Sequence, residues 1–330
     1  ALGGHNWASA FAEVPETSVV AIFDKDEDTR KQFQSTWQDV WGNMAEYDDY
    51  GEMLEKVQPD IVCEATRQTY HADNIENAIE SGVKGLVCEK PLCTSLEEMD
   101  RIIEILRTSS VPFAFGLELR WSESYQAIFR MLKDGAIGDV TSVVAHGVTE
   151  LINHGCHFFD VALGMAGDPE PVSAAGLIDD PNKFDDWRHG DPHGRGWVML
   201  DNGVNLGIMS EGGRRSYTIT GSTGRMTVMK EGERAYLWQS DQETGEFLGN
   251  PLEVDVPRPT HPWHRGPASI RDLVDKVKNG GRTACDLEET RRATEIGFAI
   301  HASDALGGSR VTFPVNNRTI KVDSRPWGNE

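Results

Sequence analysis

Asp60-Ile-Val-Cys-Glu-Ala-Thr66 and Lys84-Gly-Leu-Val-Cys-Glu89 are short apolar runs separated by a helical stretch from about His71 to Ser81. Continuous runs of this length, rich in Val, Ile and Leu, are what strands covered on both faces require. Upstream, Ser18-Val-Val-Ala-Ile-Phe-Asp24 repeats the pattern and leads into a polar helix from about Asp26. Downstream, Ser95 and Glu98 have the spacing of a capping box, and the helix they open carries Leu96, Met99, Ile102, Ile103 and Leu106 on one face. Pro112–Leu117 reads as a further strand. This alternation predicts an α/β domain, residues 1–118, built on a doubly wound parallel sheet with right-handed crossovers.

After about Glu118 the texture changes. A helix at Tyr125–Lys133 is followed by a succession of strands: Val140–Gly147, Trp197–Leu200, Val204–Ser210, Tyr217–Thr220, Arg225–Lys230 and Ala235–Gln239. Asn202-Gly203 and Lys230-Glu231-Gly232 read as hairpin connections. Helices return at Ser269–Lys278 and about Leu287–Ala305. Residues 119–330 are therefore expected to form an α+β domain on a large, mostly antiparallel sheet. Two long polar loops, Asp179–Gly196 and Val256–Pro267, are rich in His, Arg, Trp, Pro and Gly, the kind of loop that carries function.

Composition narrows the field. The 330 residues carry 53 acidic against 32 basic side chains, a net charge of −21, and only 11 of the 32 are lysines. A surface that negative repels phosphate backbones and anionic lipids, so no nucleic-acid or membrane partner is expected. No apolar run is long enough to span a bilayer, and no secretion signal is visible. The five cysteines, Cys63, Cys88, Cys93, Cys156 and Cys285, are odd in number and scattered, which predicts a reduced, cytoplasmic protein without a disulfide framework.

Several motifs carry chemistry. Ala1-Leu-Gly-Gly-His-Asn6 precedes Asp24 by about 20 residues, the interval between a glycine-rich phosphate turn and the acidic residue that takes a dinucleotide's ribose hydroxyls. Gly3 and Gly4 let the backbone approach a pyrophosphate, with His5 beside them, and a helix from about Asn6 offers its first amides. Ala1 and Asn6 stand where glycines are usual, and an ordinary loop-to-helix start reads the same way. The strand that should precede this turn has no residues to form it, so the chain is expected to begin inside a longer protein. Asp24 favours NAD over NADP, because a carboxylate accepts from the 2′-hydroxyl and repels a 2′-phosphate; Lys25 softens that preference, and a helix-capping role fits Asp24 equally well.

Glu89-Lys90-Pro91 follows a strand directly, and a side chain at the carboxyl end of a parallel strand faces the ligand crevice. A lysine there can stabilise an alkoxide as it forms, although Lys-Pro also suits a solvated turn. In Asn153-His-Gly-Cys-His157-Phe-Phe-Asp160 the spacing puts Asn153, His157 and Asp160 on one helical face. His157 suits general-base work near neutrality, or is a core histidine satisfied by Asp160. His154 and His157 have metal-ligand spacing without a third ligand, so no metal is expected.

Together these segments resemble the Gfo/Idh/MocA family of oxidoreductases, which includes glucose–fructose oxidoreductases and inositol dehydrogenases. The resemblance runs through the glycine turn, Asp24, the stretch Ala65–Gly82 with His71, Glu-Lys-Pro, Arg120-Trp121, the helix with Gly-x-His-x-x-Asp, Thr220–Gly224 and Val311–Pro314. It implies a Rossmann domain and an open-faced second sheet, a sugar or polyol substrate, and a homodimer or homotetramer. It implies that Gly3, Gly4, His5, Asn6, Asp24, Lys25, Thr66, His71, Glu89 and Lys90 serve NAD. Lys90, Arg120, Trp121, Asn153, His154, His157 and His193 are then expected around the substrate, with His157 taking the hydroxyl proton.

Asn153 departs from the aspartate that relatives often carry there, and an amide holds a hydroxyl but does not stabilise an imidazolium by charge. Asp160 is expected to supply that charge instead. The segment from Gly147 to Asn153 is short, so loop residues Trp187, Arg188, His189, His193, Arg195, His261, Trp263 and His264 are candidates to refill the pocket. The reading is an NAD-dependent dehydrogenase of a secondary hydroxyl on a sugar, glycoside, sugar acid or inositol, a neutral or singly charged substrate being easier to reconcile with the acidic surface. Redox-neutral sugar processing with retained NAD, and a non-catalytic sugar or nucleotide sensor, are the alternatives.

Overall fold

The computed structural model describes residues 6–179, 191–241, 243–258 and 265–322. Strands Ala21–Phe23 (β1), Ala45–Tyr47 (β2), Ile61–Glu64 (β3), Gly85–Cys88 (β4) and Phe113–Phe115 (β5) all pair in parallel. Helices Trp7–Ala12 (α1), Glu27–Trp41 (α2), Tyr50–Val57 (α3), Gln68–Glu80 (α4) and Leu96–Ser109 (α5) precede or connect them. Every residue of β4 and β5 is buried, as their unbroken apolar sequence requires. Leu96, Met99, Ile102, Ile103 and Leu106 form the buried face of α5. Ser95 caps that helix, but the Glu98 carboxylate bonds the Thr94 backbone N–H at 2.7 Å, one residue earlier than the capping box predicts.

The parallel strands make two sheets, not one: β1–β2, and β3–β4–β5. Among the described residues no strand joins β1 to β3, and three residues of β1 and two of β3 are only partly buried.

The second half begins with a 3-10 turn, Glu118–Trp121, and helix Glu123–Lys133 (α6). Strand Val140–His146 (β6), helix Gly155–Met165 (α7) and strands Pro171–Ile178 (β7), Gly194–Leu200 (β8), Asn205–Met209 (β9), Ser216–Gly221 (β10), Gly224–Met229 (β11), Arg234–Gln239 (β12) and Leu252–Val254 (β13) follow. Helices Arg265–Asn279 (α8) and Leu287–Asp304 (α9) and strand Val311–Thr312 (β14) complete it. The sheet has nine strands in the order β13-β12-β11-β10-β6-β9-β8-β7-β14, parallel only where β6 meets β9. Helices α7 and α9 cover one face. The other face presents Trp197 and Met199, each 48% exposed.

Sequence periodicity misses β7, whose Ser-Ala-Ala-Gly core has neither alternation nor bulk. Its small residues are there for packing: a Cβ on Gly176 would lie 2.9 Å from Ile300 Cδ1 of α9 and 2.5 Å from the Arg195 carbonyl oxygen of β8. Among the described residues no helix is long and apolar enough to cross a membrane.

Helix α8 returns to the parallel strands. Ile270, Leu273 and Val274 pack with Trp7, Phe11 and Val14 from the α1 region and with Val87 and Ala114 of β4 and β5. The contact needs Gly85, where a Cβ would sit 2.7 Å from Val277 Cγ2. Overpacking of this kind costs about 1–3 kcal/mol. Gly85→Val is therefore expected to lower the melting temperature by several degrees in far-UV circular dichroism, and Gly85→Ala by less. Equal stability of all three proteins would show that α8 does not bear on β4.

Candidate active site

The carboxyl ends of the parallel strands supply the first half of the site. Glu89-Lys90-Pro91 leaves β4 and is held on three sides. The Glu89 N–H donates to the Glu64 carbonyl at 2.8 Å, the Gly116 N–H donates to the Cys88 carbonyl at 2.8 Å, and Trp7 Nε1 donates to Glu89 Oε2 at 2.7 Å. Gly116 allows this close approach, since a Cβ there would stand 3.0 Å from the Lys90 nitrogen. The Lys90–Pro91 peptide is cis. His71, wholly buried, reaches the Leu92 carbonyl at 3.0 Å and the Thr66 carbonyl at 3.2 Å, so it ties the loop after β3 to the loop after β4. His71 thereby positions the loop that carries Lys90. Thr66 stands one shell outward, with its N–H 3.0 Å from Glu64 Oε1 and its hydroxyl bonded to the same carboxylate.

Lys90 points away from its own sheet. Its Nζ donates to Asn153 Oδ1 at 2.9 Å, across 63 residues of sequence, with both groups buried. Asn153 lies in the turn before α7, not on the helix, so the predicted common helical face is replaced by a tertiary arrangement. That turn is fixed by Asp191, whose oxygens accept from the Ile152 and Asn153 N–H groups at 2.9 and 2.7 Å. Asn153 Nδ2 is buried without a partner among the described residues, a donor kept for a ligand.

His157, on the first turn of α7, is 5% exposed. Its Nδ1 faces Glu118 Oε2 at 3.7 Å, and the other Glu118 oxygen faces Arg265 Nη2 at 3.7 Å. Glu118 thus stands where a carboxylate can steady a protonated imidazole.

Asp160 does not take that role. Its Oδ1 accepts from Arg120 Nε at 2.7 Å and its carbonyl accepts from Arg120 Nη2 at 3.1 Å, while Asp168 takes the remaining face of the guanidinium at 2.7 and 2.8 Å. Arg120 is 4% exposed and spends four of its five N–H donors on this latch. Trp121 is likewise engaged, donating Nε1 to Asp272 Oδ2 at 2.8 Å. His154 bonds the Glu150 carboxylate through Nδ1. Burial pushes Glu150 up, but the bond and charge of His154 outweigh it and hold the carboxyl below its usual value, with His193 adding to the pull. Among the described residues no group of three or more His, Cys, Asp or Glu gathers as a metal site.

On the cofactor side, Asp24 ends β1 and uses one carboxylate oxygen to accept from the Asp26 N–H at 2.9 Å. Its second oxygen has no partner among the described residues, which suits a ribose hydroxyl. Arg30 donates to the Asp24 carbonyl and pairs with Glu46 of β2 at 3.8 Å, tying the end of β1 to its neighbour. Lys25 Nζ lies 5.5 Å over the Tyr70 ring, bringing the end of β1 beside the start of α4. Asn6 caps α1, accepting from the Ser9 N–H at 3.1 Å. Gly3, Gly4, His5, Trp187, Arg188, His189, His261, Trp263 and His264 lie outside the described residues. Arg195 is exposed and pairs with Asp179 at 2.9 Å.

Three residues of the site escape the sequence reading. Glu118 follows β5 as Lys90 follows β4, so the strand-end rule that singled out Lys90 also points to it. Asp191 lies just before β8 and Arg265 opens α8, and both become recognisable only when the chain is folded.

Burial pushes the Asp191 carboxyl up to about 7, against the pull of its two N–H bonds. Aspartate in an unfolded chain titrates near about 3.9. Between those values the folded chain binds more protons than the unfolded one, so this group's contribution to stability is full below about pH 4 and falls as pH rises towards about 7. The margin in melting temperature of the unmodified protein over Asp191→Asn should therefore shrink across that range. A margin that widens with pH would contradict it.

Comparison with known proteins finds relatives of this fold. Residues 2–117 match the profile of GFO_IDH_MocA, described as an oxidoreductase family with an NAD-binding Rossmann fold. D-apiose dehydrogenase of Paraburkholderia graminis is 27% identical over 187 residues, covering 52% of this chain and 48% of that protein. The match thus spans about half the length of that relative. D-apiose dehydrogenase of Rhizobium rhizogenes is 26% identical over 335 residues, with 92% of each chain covered. The fold superposes on levoglucosan dehydrogenase, solved with NADH and levoglucosan, with a TM-score of 0.77 at 17% identity, over 94% of this chain and 98% of that one. Residues 2–117 thus match the NAD-binding Rossmann domain of the Gfo/Idh/MocA oxidoreductases, and the chain as a whole shares the fold of levoglucosan dehydrogenase.

Proposed function

We propose that the chain is an NAD-dependent dehydrogenase acting on a secondary hydroxyl of a carbohydrate or polyol. The observation that carries the reading is the pairing of Lys90 with Asn153 and of His157 with Glu118, on residues that follow β4 and β5 and on the turn and first helical turn of α7. The relatives that are dehydrogenases of sugars and polyols support it. Bound NAD supplies the hydride acceptor.

The chain's own groups do the rest. The Lys90 ammonium, fixed by Asn153, donates to the reacting hydroxyl oxygen and lowers the cost of negative charge building there. Asn153 Nδ2 donates to a neighbouring hydroxyl. His157 accepts the proton at Nε2, the nitrogen turned away from Glu118, and the Glu118 carboxylate steadies the imidazolium that results. Asp24 takes the ribose hydroxyls. Residues 1–118 act as the cofactor domain, with α8 lent to it by the second half, and residues 119–330 as the substrate domain. The exposed face of the nine-stranded sheet, with Trp197 and Met199, is where a second copy would dock. The five cysteines are unpaired, in keeping with a cytoplasmic setting.

NADH absorbance over a panel of sugars, glycosides, sugar acids and inositols tests this directly. Lys90→Met and His157→Ala should each lower kcat/KM by about 10²–10⁴-fold while NAD still binds. An unchanged rate in His157→Ala would remove the histidine from the mechanism. Silence across the panel with NAD bound would sink the dehydrogenase reading.

A further inference from the structure

We infer that the substrate carries a carboxylate, held by Arg215 beside the proton-accepting histidine. This rests on the dehydrogenase reading and narrows it to polyhydroxy acids, the uronates and aldonates.

Arg215 immediately precedes β10, and its guanidinium carbon lies 4.6 Å over the ring of Phe158, the residue next to His157. The contact is with a ring face; among the described residues Arg215 has no hydrogen-bond acceptor and no ion pair, and its Nε is buried. An arginine normally spends its planar fork on a carboxylate or phosphate, and a sheltered one with neither is costly. Glu118 and Glu231 act on it electrostatically without bonding it.

Its neighbours repeat the pattern. Arg265 Nε is buried without an acceptor, while Arg265 Nη2 faces Glu118 at 3.7 Å. The hydroxyls of Tyr125 and Tyr217, rings edge to face at 6.2 Å and both wholly buried, have no partner either. Asn153 Nδ2 is a further unspent donor. These donors gather around Phe158, the residue after His157, and around Glu118, which faces His157, and they ask for an acceptor-rich ligand.

Geometry sets its valence. The unused planar fork of Arg215 is filled by a single carboxylate. Glu118 and Glu231 already act on its charge, so a phosphate monoester with nearly two charges meets more repulsion there than a carboxylate does. The net charge of −21 repels any anion at long range, but that field is screened within about 8–10 Å in salt, whereas the bound state is decided by groups in contact. Of the neutral and singly charged substrates that the sequence reading favours, this selects the singly charged ones.

The test compares partners that differ only in the acid: D-glucose with D-gluconate and D-glucuronate, D-galactose with D-galacturonate, and D-glucose 6-phosphate as the phosphate arm. Both NADH formation and equilibrium binding by calorimetry are read, with NAD binding as the fold control. At least one acid should exceed its neutral and phosphorylated partners about 100-fold in kcat/KM and in affinity. Arg215→Met should erase most of that ratio, mainly through KM, and Arg215→Lys should keep part of it. Turnover of neutral or phosphorylated sugars with no advantage for the acid overturns the carboxylate site and leaves the dehydrogenase reading intact. So does an acid preference that Arg215→Met leaves unchanged. Tight, Arg215-dependent acid binding without NADH formation does the reverse.

Discussion

The hydrogen bond from Lys90 Nζ to Asn153 Oδ1 is the constraint on which the site depends. It crosses from the parallel strands to the turn before α7, and so fixes the cofactor edge relative to the substrate face. A buried ammonium is tolerable only with a partner of fixed geometry. Hydrogen bonds to charged groups are worth about 1.5–3 kcal/mol, and leaving one unmade costs as much or more. Each end of the bond is accordingly built in from behind. His71 bridges Thr66 and Leu92 beneath the lysine loop, and Asp191 grips two successive amides beneath the asparagine.

The four acidic residues around the site divide its electrostatics among them. Asp160 serves Arg120 in a buried latch whose guanidinium is held well above its usual range, burial being outweighed by its two carboxylates. Asp191 serves the backbone. Glu118 lies between His157 and Arg265, and Asp24 keeps one oxygen open at the end of β1. In the proposed mechanism Glu118, from another strand end, takes the part of the aspartate absent at position 153. An amide at that position can bind Lys90 and still offer Nδ2 to a ligand.

Most of the scaffold was legible because it follows from local pattern. β4 and β5 are unbroken apolar runs, α5 shows its stripe, and the Asn202-Gly203 and Lys230–Gly232 turns do join antiparallel strands. β7 was not legible, because its Ala and Gly residues are chosen for the approach of α9 and leave no period. Lys90, Asn153 and His157 were found from strand-end position and spacing, and the structure brings the first two into contact and seats the third on the neighbouring helix. That Arg120 and Asp160 pair with each other was not legible, because the sequence shows a charge but not what it faces. Glu118, Asp191 and Arg215 owe their importance to partners far away in sequence, which one-dimensional spacing does not encode.

A double-mutant cycle on Lys90 and Asn153 tests the central constraint without knowledge of the substrate. Lys90→Met, Asn153→Ala and the double variant would be unfolded in denaturant alongside the unmodified protein. Residues that share one buried bond are predicted to show non-additivity of about 1–3 kcal/mol, because the first substitution already forfeits what the second would remove. Additive losses, within about 0.3–0.5 kcal/mol, would show that the two groups do not hold the halves of the site together.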